Sequence, residues 1–404
     1  MKCGDIMIRT FKVEIKPTKQ QRELFAQAFG YRRYAWNWGL DKHEKVYLEC
    51  GKSVGPYGLD TQFNEAHQGK EFDWTKSVNS MIKTSALVDL GESIKAWYRY
   101  LREAKHASNK VNINKGRPKF KKKGVCEETF RIFAKTPETF KVQSKYHFNF
   151  NWTRSVGRLT VRTVEPIDFL KDTGIKTMTI TRQGGKYFMS LTYEKTNRRP
   201  KCKEGVVGCD LGVSHAVVTH DGQETKFFDV PNTLKKQEEL FSKRQAKLSR
   251  KTKDSKSYRK QKLLVEKAGV KQARIRRDFA HKLTSWLVSN YSEIKIDDFS
   301  FAEYIQSEPQ AQFIKSKPRN RSAYRVAPCQ IKEMLTYKAE ETGSVIKYVP
   351  KFTRSTQTCC RCGHVFEGDH KLTLKDRWYD CPDCGSHIKR DENSAIFVYN
   401  LPIK

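Results

Sequence analysis

Long apolar runs are missing from this 404-residue chain: no stretch approaches the ~18 residues that a membrane helix needs. Residues Met1 to Arg9 also lack the apolar core of a secretory signal. No clear internal repeat is visible. Negative charge is scarce as well: 45 Asp and Glu stand against 78 Lys and Arg, a formal net charge of +33. The first two absences argue against a membrane span and export, so the chain is read as soluble and cytoplasmic. The charge deficit calls for a polyanionic partner, and nucleic acid is the default. A membrane surface fits less well, because no long amphipathic basic anchor stands out. Length suggests two or three domains.

Eleven cysteines is an odd number, and four of them form two CxxC pairs. That pattern fits a reducing compartment and a metal site better than a disulfide framework. The pairs are Cys359-x2-Cys362 and Cys381-x2-Cys384. This is a four-cysteine zinc pattern, and four thiolates leave no open position for water, so the site is structural. Cys360 is an adjacent alternative ligand, while His364, His370 and His387 are read as solvated or structural.

Residues 8 to 15 alternate, with Phe11, Val13 and Ile15 on one side, which predicts a half-buried strand. Thr18 and Gln21 form a capping box for a helix through Leu24, Phe25, Ala28, Tyr31 and Ala35. A second helix is expected from about Ser77 to Ala104, its aromatics in the core. Residues 106 to 124 are Asn-rich and then basic, with Lys115-Gly116-Arg117-Pro118-Lys119-Phe120-Lys121. They read equally as a phosphate-contacting segment or a solvated linker. A hairpin is expected at Thr177–Thr181 and Lys186–Tyr193 around Gly184-Gly185, and a boundary near Pro200 to Glu204.

The second half carries a buried strand ending at Asp210 and a hairpin turning at Asp221-Gly222. Long basic helical sequence follows from Leu234 to Ser289. A strand leads to Asp297, then come a helix near Gln330 to Thr342 and a strand at Val345 to Val349. Three strands, a helical insertion, then strand and helix is the α/β pattern of an RNase H-like fold. Asp210 and Asp297 each end a buried-strand pattern, where ligand-bearing carboxylates sit in α/β sites. Asp391 opens an apparent helix. Hard divalent metals need such oxygen ligands brought from separate segments.

These motifs together resemble the TnpB family of transposon-encoded RNA-guided DNA nucleases, relatives of type V CRISPR effectors. The resemblance rests on Gly208-Cys209-Asp210-Leu211-Gly212, Ile294 to Phe299, Ser355 to Cys359, Cys381-Pro382-Asp383-Cys384-Gly385 and Arg390 to Ala395, with Ile8 to Lys12 as a typical start. It implies a RuvC-type nuclease with a catalytic Asp-Glu-Asp set. Asp210 and Asp391 match the outer positions; Asp297, followed by Asp298 and Phe299, stands where the family has Glu. The reach is one methylene shorter, about 1.5 Å, and Glu303 or Glu392 are candidates to compensate.

The resemblance further implies two catalytic Mg²⁺ ions, structural Zn²⁺ and a guide RNA from the transposon end. Double-stranded DNA would be selected by base pairing next to a short flanking motif. The implied organisation is a β-barrel wedge domain (1–18 and 113–200) carrying a helical recognition domain (19–112). A RuvC-like domain (204–354 and 387–404) with an inserted zinc ribbon (355–386) follows. Candidate nucleic-acid contacts are Tyr31, Arg32, Arg33, Ser80, Lys83, Thr84, Arg117, Lys119 and Lys121. Monomer and homodimer are both open. The alternatives are a nuclease-impaired RNA-guided repressor, a small type V CRISPR effector and, less well matched, a strand-transferring transposase.

The charge makes one expectation quantitative. Nucleic-acid affinity should fall about 10³- to 10⁵-fold between ~50 and ~200 mM salt if six to ten phosphates are contacted. Filter binding across that range checks it; a salt-independent complex contradicts it.

Overall fold

The computed structural model describes residues 6–106, 112–196, 204–212, 215–297, 326–350, 353–373 and 376–403, with backbone alone for His106, Asp297 and Asp369. Asp298, Phe299 and Glu303 lie outside the described residues. The chain divides into two compact units, 6–196 and 197–404 with residues 1–5. None of the described helices is long and apolar enough to cross a membrane.

The first unit begins with strand β1 (Ile6–Lys16), whose Val13 and Ile15 are buried. The Thr18–Gln21 capping box forms as expected and starts helix α1 (Lys19–Cys50), which Gly51 ends at φ 66°. Helices α2 (Pro56–Ala66) and α3 (Met81–His106) follow. The sequence pattern would start this last helix at Ser77. A 3-10 turn occupies Lys70–Ser77 instead, and Asn79 Oδ1 accepts the Met81 N–H at 2.9 Å, so the cap sits further on. Leu87, Leu90 and Ile94 are buried as predicted, but Trp97 and Tyr98 are half-exposed.

Six more strands complete this unit: β2 (Glu128–Phe133), β3 (Phe140–Ser144), β4 (His147–Thr153), β5 (Gly157–Thr163), β6 (Ile175–Gln183) and β7 (Lys186–Thr196). The β6–β7 hairpin turns at Gly184 and Gly185, φ 57° and 77°. Two successive positive φ values are what a tight two-residue turn requires. The sheet order is β2-β6-β7-β1-β5-β4-β3. No ladder joins β2 to β3 among the described residues, so the expected barrel is an open half-barrel. Phe25 of α1 packs on Phe130, Trp152 and Tyr187, bringing sheet and helices onto one aromatic core.

In the second unit β8 (Val206–Asp210), β9 (Val217–His220) and β10 (Thr225–Phe228) precede two helices. The long basic segment is not one helix. α4 (Asn232–Ser249) and α5 (Lys256–Asn290) are separated by a turn in which Asp254 takes φ 63° and Ser255 caps α5. Buried Gln261 and Gln272 of α5 donate to the Arg244 and Gln237 carbonyls of α4 and fix the pairing. The C-terminal part of α5, with Leu283 and Leu287, joins the sheet core.

Strand β11 (Glu293–Asp297), helix α6 (Pro328–Thr342) and strand β12 (Val345–Val349) follow, then the short ribbon β13 (Trp378–Asp380) and β14 (His387–Lys389), then helix α7 (Arg390–Asn400). The five-stranded sheet runs β10-β9-β8-β11-β12; β8, β11 and β12 are parallel, and β9 opposes β8. Val207, Cys209, Ile294 and Ile296 fill one core with Ile331 and Leu335 of α6.

Helix α7 lies directly on β8. A Cβ at Gly208 would fall 2.4 Å from the Tyr399 nitrogen and 2.6 Å from the Ala395 oxygen, both backbone atoms that no rotamer change can move. Gly208→Ala should therefore push α7 off the strand and destabilise the unit by about 1–3 kcal/mol, the overpacking range. A shift of the denaturation midpoint checks this, and an unchanged midpoint contradicts it.

Candidate metal centres and nucleic-acid surfaces

The four cysteines come together as a site. Their sulfurs all lie within 4.8 Å of one another, with Cys359–Cys384 at 3.7 Å and Cys362–Cys381 at 3.4 Å. Zn–S bonds of about 2.3 Å at tetrahedral angles imply S···S edges of about 3.8 Å, so the donor set fits zinc. The two halves are built alike. In each, the residue after the second cysteine is glycine, Gly363 at φ 80° and Gly385 at φ 63°, whose N–H returns to the first cysteine's carbonyl. The alternatives fall away by contact. Cys360 stands outside the cluster, and His364 and His387 pair with Asp383 and Asp380. Tyr379, fully buried, donates to the Gln357 and His364 carbonyls and holds the ribbon closed.

The acids sit at one end of the mixed sheet. Asp210 and Asp297 are the last residues of adjacent parallel strands, and Ile296 pairs with Cys209, one row before both. Asp210 is buried, and its Oδ1 accepts the Ser394 hydroxyl at 2.9 Å. Asp391 is one turn before Ser394 on the same face of α7. The helix runs antiparallel to β8, so its first turn meets the strand's C-terminal end, with Asp391 16% exposed. The structure thus places Asp210 beside the α7 turn bearing Asp391, with the β11 backbone bringing Asp297 alongside; the Asp297 side chain lies outside the described residues. Burial pushes the Cys209 thiol far above its usual range, so the residue beside Asp210 stays neutral.

Residues 393 and 394 were legible only as letters of a motif. Fully buried Asn393 accepts from the Cys360 N–H at 2.9 Å and donates to the Thr358 carbonyl at 2.7 Å. It clamps the first cysteine knuckle onto α7, and its neighbour Ser394 holds Asp210.

The candidate nucleic-acid contacts divide. Tyr31 is 3% exposed, edge-on to Phe63 and Trp74, and Lys83 is buried against Asp60 at 2.8 Å. Both are turned inward by aromatic packing and ion pairing, which corrects their reading as surface contacts. Thr84 also bonds to Asp60, Arg32 bonds to Asp89, and Arg33 is half-buried. Ser80, Arg117 and Lys119 remain exposed.

The basic segment of 115–123 is no free linker. Asn37 pairs with both the N–H and carbonyl of Lys121, the Trp36 indole donates to the Lys119 carbonyl, and Trp97 donates to Ile113. Lys121 lies over the Trp36 ring at 3.4 Å, and burial brings its pKa down to about 8. The strap is thus fixed on α1 and α3 with Lys119 and Lys122 facing outward.

A third feature went unread in the sequence. A cleft of about 460 Å³ opens beside Asp391, lined by His215, Phe227, Arg377, Trp378 and Lys389. The one signal available was strand alternation, which turns Tyr379 into the ribbon core and Trp378 out.

Removing the Asn393 clamp should loosen the ribbon without touching a cysteine. Asn393→Ala should cost about 1–3 kcal/mol, since it leaves backbone groups unpaired, and should speed zinc release to a chromogenic chelator. Unchanged release kinetics contradict the clamp.

Family models match three segments: a helix-turn-helix domain at 7–52, the OrfB/IS605 probable transposase at 190–307 and a Cas12f1-like TNB domain at 329–398. The first segment is here one strand and one 32-residue helix. InsQ of Escherichia coli, named as a candidate RNA-guided DNA endonuclease, is 26% identical over 367 residues, covering 89% of this chain and 84% of that one. A Streptomyces pristinaespiralis protein of like name is 24% identical, covering 96% and 87%. A TnpB-like protein of Methanocaldococcus jannaschii is 27% identical over 207 residues, covering 50% of this chain and 69% of that one. Among solved structures, Cas12f1 in a complex with guide RNA and target DNA aligns over 99% of this chain and 100% of that one, with a TM-score of 0.54 at 11% identity, a likeness of fold. In its motifs, its four-cysteine cluster and these matches, the chain is similar to OrfB/IS605 transposases and to proteins named as RNA-guided DNA endonucleases and as TnpB-like.

Proposed function

We propose that this protein is an RNA-guided DNA endonuclease of a transposon. The observation that carries the reading is the Ser394–Asp210 contact, which sets the Asp391 turn of α7 against the end of β8. The strand order, with β9 antiparallel and β8, β11 and β12 parallel, supports an RNase H-like, RuvC-type assignment for 204–354 and 387–404. The half-barrel strands fit a wedge domain (1–18 and 113–200) holding a helical recognition domain (19–112), and 355–386 fits the zinc ribbon.

Asp210, Asp297 and Asp391 would hold Mg²⁺; their carboxylates are the hard donors that ion prefers. Two such ions, when bound, supply an activated water and stabilise the leaving oxygen of a phosphodiester. The chain's own residues do the rest. Ser394 fixes the Asp210 carboxylate, Asn393 ties α7 to the ribbon, and the strap bearing Arg117 and Lys119 meets phosphate. A guide RNA would choose the DNA by base pairing beside a short flanking motif.

One residue favours a second reading. Asp297 in place of Glu shortens a ligand where placement matters to within about 0.2 Å, as in a guided DNA-binding repressor with an impaired nuclease.

Cleavage of guide-matched plasmid by the ribonucleoprotein with Mg²⁺ decides between them. Wild type should cut and Asp210→Ala should not. Ser394→Ala should raise the Mg²⁺ concentration for half-maximal rate by about 10-fold, as loss of a ligand's hydrogen-bond partner does. A silent wild type with cutting restored in Asp297→Glu would favour the repressor.

A further inference from the structure

One carboxylate in the first unit is crowded by cations. Asp89 of α3 accepts from Arg32 of α1 at 2.9 Å through one oxygen and from Arg131 of β2 through the other. Lys121 of the strap stands near enough to feel both charges: Arg32 disfavours its proton and Asp89 favours it. Cys126 and Glu127 favour it too, and Glu127 is already engaged by Gln183 at 3.0 Å. Arg32, Arg131 and Lys121 thus set three positive charges around the single carboxylate of Asp89. Two aromatic rings form a floor, Trp36 under Lys121 and Phe133 under Arg131 at 5.0 Å. The cluster is open on one side, with Asp89 27% and Arg131 31% exposed.

Its hydrogen bonding is incomplete as well. The Nε–H groups of Arg32 and Arg131 are buried without an acceptor. A buried charged donor left unpaired is expensive, and folded proteins carry few of them. A water molecule would supply an acceptor but leave the charge excess; an oxyanion answers both. The planar forks of two arginines suit phosphate geometry in particular. Charge then selects among phosphates. A backbone phosphodiester brings one negative charge and leaves the cluster positive. A phosphate monoester brings nearly two at neutral pH and balances it.

We infer that Arg32, Arg131 and Lys121 form a binding site for one phosphate dianion, either the monoester at the end of a nucleic-acid strand or inorganic phosphate. The site is independent of the nuclease reading, because all of its residues lie in the first unit. Its binding is coupled to a proton. Lys121 by itself gives up its proton at about pH 8, and a dianion beside it holds that proton in place. Affinity is therefore greatest below about pH 8 and falls by up to ~10-fold per pH unit above it. The monoester loses its second charge below pH ~6, which closes the window from the acid side.

The test is calorimetric titration of the full, zinc-loaded chain at constant ionic strength, from about pH 6 to about pH 9. The probes are sodium phosphate, sodium sulfate, and two oligothymidylates alike except for a 5′-phosphate or a 5′-hydroxyl. Phosphate should bind, with proton uptake above about pH 8. Sulfate, doubly charged throughout, should show the alkaline fall alone. Arg131→Gln should weaken phosphate about 10- to 100-fold, as loss of one charged hydrogen bond does. Lys121→Met keeps its stem on Trp36; it should bind more weakly and lose both the alkaline fall and the proton uptake. In phosphate-free buffer Lys121→Met should unfold no earlier than wild type, since it removes a crowded cation, and this separates loss of the site from loss of the fold. A 5′-phosphorylated strand that outbinds its 5′-hydroxyl twin identifies strand ends as the source, and equal binding of the two identifies inorganic phosphate; either keeps the site. Failure of phosphate and sulfate to bind, or a Lys121→Met variant with wild-type affinity and pH profile, overturns the inference.

Discussion

Two neighbouring side chains on the first turn of α7 hold the second unit in its working arrangement. Asn393 reaches one way, to the backbone of the cysteine knuckle, and Ser394 the other, to the Asp210 carboxylate. Both are fully buried, so neither bond competes with water, and loss of either leaves a polar group stranded. Asp391, two residues before Asn393, takes its place from the same turn. The ribbon is therefore a support for the carboxylate end of the sheet.

Close approach makes this possible. Gly208 lets α7 lie backbone to backbone on β8, nearer than any side chain would allow. Lys295 of β11 donates to the Tyr399 and Leu401 carbonyls, satisfying the end of the same helix. The helix is thus tied at its first turn to β8 and the ribbon, and at its last to β11. A single rigid element carries position from one strand to the next.

What the sequence made legible was local. The Thr18 capping box, the Gly184-Gly185 turn, the CxxC spacing and the acids ending hydrophobic strands each depend on a few adjacent residues, and the structure places them accordingly. Features that depend on distant partners were not legible. Nothing near Lys83 announces that Asp60 will bury it, and nothing near Tyr31 announces Trp74. The turn at Asp254 interrupts a basic run whose composition suits helix throughout. The segment of 106–124 looked equally like a linker, until Trp36, Asn37 and Trp97 gave backbone partners to Lys119, Lys121 and Ile113. Asp297 was readable in the sequence as an Asp where the resembled family has Glu, and its backbone ends β11 beside the strand that Asp210 ends.

The separation between ribbon and acid acts as a ruler. Six residues lie between Cys384 and Asp391, three of them in β14 and one already in α7. One residue added in β14 would turn its side chains to the opposite face. One added in the first turn of α7 would rotate the remainder of the helix by about 100°, aiming Ser394 away from Asp210. Substitution can thus alter this stretch freely at its surface, but insertion and deletion cannot, and a ribbon exchanged between relatives would serve only if that spacing came with it.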